Sequence, residues 1–347
     1  VTKKLIFNIL KFAVFLSLGI FLLWLITKDY TEEQWTDFKN ALFHANYWWV
    51  AFAVLIGLLS HLIRALRWNM MIEPLGYRPR LKTTFYSVMI AYLANMAIPR
   101  LGEVTRCGIL QRYEKVPFDK ALGTIVVERA IDLLSLIIIT LLLFIFQFDL
   151  IYDFFDEKVI IPLGEKIAQS NNLLLIVAIV FVVCGIAVWY FIKKFKHTDL
   201  YLRIRILLLN VREGVYSIRH LKNFWLFLFY SVFMWFCYYA MVWVCFYAMA
   251  QTAHLGMAEA LSVLVFGTVG IIATPGGIGA YHIIVTETLV ALYGLQETYA
   301  NSFSWLAWGC QTAMIILIGL LSLLLLSRLS GKETVHEKVA GDTSKNN

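Results

Sequence analysis

Two apolar runs joined by a helix-breaking hexapeptide constrain this chain more than any other feature. Residues 258–273 (AEALSVLVFGTVGIIA) and 280–293 (AYHIIVTETLVALY) flank TPGGIG, which carries a proline and three glycines in six positions. A helix rises about 1.5 Å per residue, so a hydrocarbon core of about 30 Å needs about 20 residues to cross. Neither run is that long. Proline ends a helix and glycine permits a sharp reversal, so the pair reads as a re-entrant hairpin. Irregular backbone at membrane depth survives where protein buries it or a wet cavity borders it. The hairpin therefore predicts a cavity.

A second copy lies upstream. Residues 83–98 (TTFYSVMIAYLANMAI) form another sixteen-residue run, followed by PRLGEVTR. Ala97-Ile98-Pro99-Arg100-Leu101-Gly102 aligns with Ala273-Thr274-Pro275-Gly276-Gly277-Ile278-Gly279 after one insertion. The letters agree weakly, but each hairpin follows a full-length apolar segment and precedes another. Interrupted helices at corresponding places in two halves point to a transporter's binding site.

Full-length apolar segments run about 8–26, 47–66, 121–146, 172–192, 224–250 and 301–327. The fold class expected is an all-α polytopic membrane protein with about six spans and two re-entrant hairpins. Only 15% of residues are charged and mean hydropathy is +0.73, which excludes an ordinary soluble domain. With the N-terminus cytoplasmic, the cytoplasmic pieces hold 25 of the 30 Lys and Arg, as the positive-inside rule requires. The +7 net charge is thus spent on loops beside spans, and no nucleic-acid partner is expected. This topology makes 47–146 and 224–327 inverted repeats, the first hairpin entering from the cytoplasm and the second from outside. Leu200 to Ile218, with arginines between the apolar positions, reads as an amphipathic interfacial helix. Trp35, Phe38 and Leu42 suggest a shorter helix outside, and residues 329–347 a disordered cytoplasmic tail. No cleavable signal peptide is evident before the first span. Five cysteines without a CxxC pair read as small core residues.

Ionisable groups at bilayer depth are costly and usually face a partner inside the bundle. Four clusters qualify. His61, Arg64, Arg67 and Trp68 follow helical spacing; alternatively both arginines snorkel at the cytoplasmic end. At the first break stand Arg100, Glu103 and Arg106, where Glu103 suits the helix dipole and can pair with Arg106 three residues on. Glu128 and Asp132 share one helix face, so a bridging cation is needed, supplied by Arg129 or a basic residue of the first hairpin. At the second break come Thr274, Gly276, Gly277, Gly279 and His282, where free N–H groups at a half-helix N-terminus offer an anion site. His282 reads equally as a satisfied core residue.

At these residues the chain resembles the flippase-like transmembrane domain of lysylphosphatidylglycerol synthases and its stand-alone relatives. The matching pieces are Arg64-Ala-Leu-Arg67-Trp68, Pro99-Arg100-Leu-Gly102-Glu103-Val-Thr-Arg106, Glu128-Arg129-Ala-Ile-Asp132 and Pro275-Gly276-Gly277-Ile-Gly279. They stand in the family's order and cover about residues 5–328. The resemblance implies a domain (1–328) that moves a lipid between leaflets: an anionic or aminoacylated phospholipid, or a prenyl-linked lipid. It also implies a soluble aminoacyl-transferring domain after the last span, where nineteen residues follow Arg328, so lysyl transfer is not expected. Relatives commonly carry a Glu near the position of His282.

The expectation is therefore a lipid translocator of a bacterial inner membrane, with both termini cytoplasmic, and not an enzyme. Arg100, Arg106 and Arg129, with the second break, are assigned to the head group, Arg106 ahead of Arg100. Glu103, Glu128, Asp132, Arg64 and Arg67 are the supporting charges, and Arg129 is also the arginine whose loss is expected to strand the acid pair. No catalytic residue, cofactor or metal is expected, and no P-loop is present to bind ATP. Membrane lipids are the expected partners, with a homo-oligomer and a lipid-modifying enzyme as candidate protein partners. Rival readings are an ion-coupled transporter of a small organic anion, a lipid-phosphate enzyme and a non-transporting scaffold.

Overall fold

The structure, a computed structural model, describes residues 17–98, 100–156, 161 and 221–343. The apolar segment 172–192, the amphipathic stretch 200–218 and the start of the first segment lie outside them. The described elements are helices: α1 Ser17–Thr27, α2 Glu32–Phe43, α3 Tyr47–Ile72, α4 Leu81–Ala97, α5 Leu101–Glu114, α6 Phe118–Phe146, α7 Phe148–Phe155, α8 Phe224–Phe246, α9 Met257–Ala273, α10 Ala280–Tyr293 and α11 Glu297–Thr343. Short 3-10 turns at Glu73–Leu75 and Pro275–Gly277 join neighbours. Four stretches are long and apolar enough to cross a membrane: Tyr47–Leu75, Phe118–Phe146, Phe224–Phe246 and Glu297–Arg328. They coincide with four of the six expected spans. Beyond Arg328, α11 continues as helix to Thr343, over residues read from the sequence as a disordered tail.

Local chemistry sets the helix starts. The Asn46 carboxamide accepts from the Trp48 amide at 3.1 Å and caps α3. Thr31 and Gln34 form a reciprocal capping box on α2. Pro117 precedes α6, where its missing N–H costs nothing. The α2 helix, short as expected, lays Phe38 edge-on against Trp305 of α11 at 6.5 Å.

The distribution of polarity is inverted relative to a water-soluble protein. Leu141, Ile145, Phe146, Trp225, Phe229 and Val232 are exposed, whereas Arg64, Arg67, Arg106 and Glu128 are buried. Outward apolar helix faces with inward charges suit hydrocarbon solvent. This is an all-helical polytopic membrane protein.

Both short-helix pairs fold back on themselves. Along α4–α5, Asn95 accepts from the Gly102 amide at 2.7 Å, while Arg80 at the far end bonds Glu114 at 2.9 Å. Along α9–α10, Gly270 meets Tyr281 near the tip and Ser262 bonds Tyr293 at 2.6 Å at the base. Each register is antiparallel over the full length. The tips approach one another, because a Cβ on Gly276 would lie 3.9 Å from Met96. Helices α3 and α8 also run antiparallel, with Arg64 against Tyr238 and Arg67 against Ser231.

Candidate functional site

The site forms where α3, α5, α6 and α8 converge. Arg64, Arg67 and Trp68 share one face of α3, as their spacing demands, and Glu128 and Asp132 share one face of α6. Arg64 Nη1 donates to Glu128 Oε1 and, at 2.9 Å, to Asp132 Oδ2; its Nη2 reaches the Tyr238 hydroxyl at 3.3 Å. Arg67 Nη2 donates to Asp132 Oδ1 at 2.6 Å, and its Nη1 to Ser231 Oγ at 3.4 Å. Arg106, one turn into α5, donates both terminal nitrogens to the Glu128 carboxylate at 3.2 and 3.0 Å. Its guanidinium lies 3.9 Å over the Trp68 ring, and the Trp68 indole N–H is fixed by Thr124 at 2.8 Å. Such a fork, paired and stacked, is what a guanidinium offers and an ammonium does not.

Several expectations change here. Arg64 and Arg67 do not snorkel, being only 4% and 0% exposed, because Glu128 and Asp132 are the nearer partners. The local Glu103–Arg106 pair does not form: Arg106 turns inward to Glu128, and Glu103 faces Arg129 at 3.8 Å. Arg64 and Arg67 bridge the acid pair, and of the two expected sources of a cation it is the first hairpin, through Arg106, that pairs closely with Glu128. The Arg129 side chain is 47% exposed and stands 4.0 Å from Asp132. The structure thus exchanges the positions reasoned for Arg106 and Arg129. The former is an interior strut, and the latter faces open space.

That space is a cavity of about 400 Å³. Arg64, Arg129 and Asp132 charge one wall, and Tyr92, Tyr238 and Trp235 supply aromatic edges. His61 also lines it and stacks on Tyr92 with ring centres 4.6 Å apart. Beside it lies an apolar groove of about 1000 Å³ between α6 and α8, floored by α9. Trp235 and Leu264 border both volumes.

The break residues sit elsewhere. Arg100 is exposed at the head of α5, in a left-handed conformation at φ 66°. Gly276, Gly277 and Gly279 all have positive φ, which explains three glycines in six positions. Thr274 Oγ1 donates to the Ile278 carbonyl at 3.0 Å and closes the turn. The Trp308 indole donates to the Gly276 carbonyl at 2.7 Å, and Gly19 of α1 packs on Gly279. His282 is fully buried between Trp305 and Trp308, with ring centres 4.6 and 5.0 Å away. None of Thr274, the three glycines or His282 lines the cavity; α10 contributes Tyr281 to it instead. Tyr92, Trp235 and Tyr238 escaped sequence reasoning. A polar-tipped aromatic in an apolar helix is the available signal, but the chain has 17 tyrosines and 11 tryptophans, so the signal selects nothing.

The helices and the buried charge cluster define a membrane protein with a charged pocket inside the bundle. Residues 8–319 match the family described as Lysylphosphatidylglycerol synthase TM region, and the chain belongs to that family. It is 30% identical over 105 residues to the UPF0104 membrane protein MJ1595 of Methanocaldococcus jannaschii, covering 29% of this chain and 31% of that one. It is 27% identical over 88 residues to Glycosyltransferase AglD of Haloferax volcanii, covering 25% of this chain and 14% of that one. The chain thus spans under a third of either curated relative. No solved structure matches it.

Proposed function

We propose that this protein moves a lipid between membrane leaflets. The observation that carries the reading is the junction of a charged cavity with an apolar groove across Trp235 and Leu264. A lipid needs both: a polar chamber for its head and a hydrocarbon lane for its tails. A small organic anion needs only the first. Among the described residues that line the cavity, Arg129 is the cation with exposed surface, so an anionic phosphate belongs beside it, with Asp132 and the tyrosines turned to the rest of the head group. Arg64, Arg67 and Arg106 hold the acids, and the acids hold them.

In this reading α4–α5 and α9–α10 are re-entrant hairpins meeting tip to tip, and residues 47–146 and 224–327 are inverted repeats. The antiparallel course of α3 and α8 supports that arrangement. The charge asymmetry supports a cytoplasmic membrane with both termini inside. The process makes and breaks no covalent bond. The glycosyltransferase relative favours one variant of the cargo, a lipid-linked saccharide.

The test uses vesicles reconstituted with the purified protein and a head-group-labelled anionic phospholipid, quenched from outside by a membrane-impermeant reductant. Protein-free vesicles keep the inner-leaflet half of the label protected. The expected outcome is loss of that protection with wild-type protein. Equal protection in both preparations, repeated with a prenyl-linked saccharide lipid, overturns the reading.

A further inference from the structure

Two buried side chains in the wall of the charged cavity take no part in the ion network. His61 of α3 and Trp235 of α8 both line that cavity. They are only 2% and 9% exposed, yet neither nitrogen of the His61 ring nor the Trp235 indole N–H has a hydrogen-bond partner among the described residues. Polar atoms sealed inside a protein are nearly always paired, so each exception needs a cause. Packing is not one, because a phenylalanine would fill either place without stranding a polar atom. Both residues belong to a connected collar. His61 stacks on Tyr92, and the Arg64 guanidinium lies 6.0 Å from the centre of the Tyr92 ring. Arg64 in turn reaches the Tyr238 hydroxyl at 3.3 Å, and Tyr238 meets Trp235 edge-on with ring centres 5.7 Å apart.

The kinds of atom in this wall select a ligand. In its neutral form an imidazole carries one donor and one acceptor nitrogen, and an indole carries a donor alone. A phosphate or carboxylate only accepts, and so meets part of that need. An ammonium only donates, and it fares worse. Asp132 is the one acid among the described lining residues, and its two oxygens already accept from Arg64 and Arg67. Arg129 would repel an ammonium as well. A hydroxyl both gives and takes. Several hydroxyls on one ring, whose C–H faces pack on aromatic side chains, meet the whole set. The volume of about 400 Å³ falls in the range of small-molecule sites.

We propose that the cavity selects a glycosyl phosphate head group, with His61 and Trp235 reading the sugar hydroxyls and Arg129 the phosphate. The inference rests on the reading that the cavity receives a lipid head group, and it narrows the cargo from any anionic lipid to a glycosylated one. The same charges disfavour an aminoacylated head group. His61 and Trp235 are thus specificity-determining residues. A bare lipid phosphate uses Arg129 and leaves both of them unpaired.

The experiment measures binding to the full chain, purified in a polyoxyethylene detergent so that no detergent sugar competes. Isothermal titration compares four ligands: a short-chain prenyl phosphate carrying one hexose, the same prenyl phosphate without it, lysylated phosphatidylglycerol, and free hexose 1-phosphate. The hexosyl lipid should bind about tenfold or more tighter than the bare one, as hydrogen bonds to otherwise unpaired groups provide. His61→Phe keeps a ring and its volume, and there the ratio should fall to about twofold or less. His61→Gln keeps a donor and an acceptor and should restore part of it. A thermal melt near wild type qualifies each variant; where His61→Phe does not meet it, Trp235→Phe carries the test. Equal affinity of the wild-type chain for the hexosyl and bare lipids overturns the proposal. So does an undiminished hexose preference in folded His61→Phe and Trp235→Phe. Tighter binding of the lysylated lipid overturns the choice of head group, and hexose 1-phosphate bound as tightly as the hexosyl lipid overturns the lipid linkage. A hexose preference in protein that moves no lipid would leave this inference standing and sink only lipid movement. Lipid movement without a hexose preference would do the reverse.

Discussion

Glu128 has no exposed surface and three guanidiniums within reach, so each of those arginines bears on folding before it bears on any ligand. Removing Arg106 bares both Glu128 oxygens on that side and uncovers the Trp68 face. Breaking one partner out of a buried pair typically costs about 3–5 kcal/mol. Arg106→Ala should therefore lower thermal stability and abundance in membranes, measured by melting in detergent and by immunoblot. Arg129 is different, since its ion contacts are long and half its side chain is open; exposed pairs contribute about 0–1 kcal/mol. Arg129→Ala should melt near wild type yet slow lipid movement about tenfold or more, the loss of one charge-assisted contact of about 1.5–3 kcal/mol. Arg129→Lys should recover part of the rate, as a point charge without the fork. A normal rate in stable Arg129→Ala protein places the head group elsewhere. Sequence reasoning found both arginines but not their duties. Spacing along one helix cannot say which carboxylate on another helix will face a given guanidinium.

At the scale of elements, two glycines set how closely the hairpin arms approach. A Cβ on Gly102 would stand 2.3 Å from the Ala91 carbonyl oxygen, and one on Gly270 would stand 2.7 Å from the Tyr281 Cα. Backbone atoms cannot swing aside as a side-chain tip can. Gly270→Val should force α9 and α10 apart at a cost of about 1–3 kcal/mol or more. Gly123→Ala in α6, where a Cβ meets nothing within 4 Å, should hold or gain up to about 1 kcal/mol. Comparing the melts of the two variants separates close packing from the general effect of replacing a helical glycine; equal melts refute the close-approach argument. The hairpins themselves were legible in the sequence because run length and Pro-Gly punctuation are local properties. The same is true of the four spans, whose apolar length needs no tertiary information. The anion site reasoned for the second break was not legible in this way. Whether free N–H groups at Gly279 face a ligand depends on what covers them, and here Gly19 of α1 and Trp308 of α11 pack on the turn. The cavity instead lies on the other side of α9, which lines it from Val263 to Ile272 together with residues of α3, α6 and α8 far apart in the chain.

For the whole molecule the decisive question is how the hairpins sit in the membrane. The Ser262–Tyr293 and Arg80–Glu114 bonds each tie the two ends of one hairpin together, so in the proposed arrangement both ends of a hairpin emerge on one side. With the tips approaching at Met96 and Gly276, the proposed inverted repeat puts the two bases on opposite sides. Ala253 and Gln296 flank the second hairpin and are exposed, as are Arg78 and Asp119 around the first. Single cysteines at these four positions, in a chain whose five native cysteines are replaced, report the arrangement through a membrane-impermeant maleimide. Ala253→Cys and Gln296→Cys should label on intact cells, and Arg78→Cys and Asp119→Cys only after permeabilisation. The sidedness follows from the lysines and arginines gathered beside α3, α4 and α5, against the acids at Asp29, Glu32 and Glu33. Exchange of the two labelling patterns would reverse the orientation but keep the hairpins. Labelling of Ala253→Cys and Gln296→Cys from opposite sides would make the second hairpin a full crossing, and with it the inverted repeat and the midplane meeting of the tips would fall.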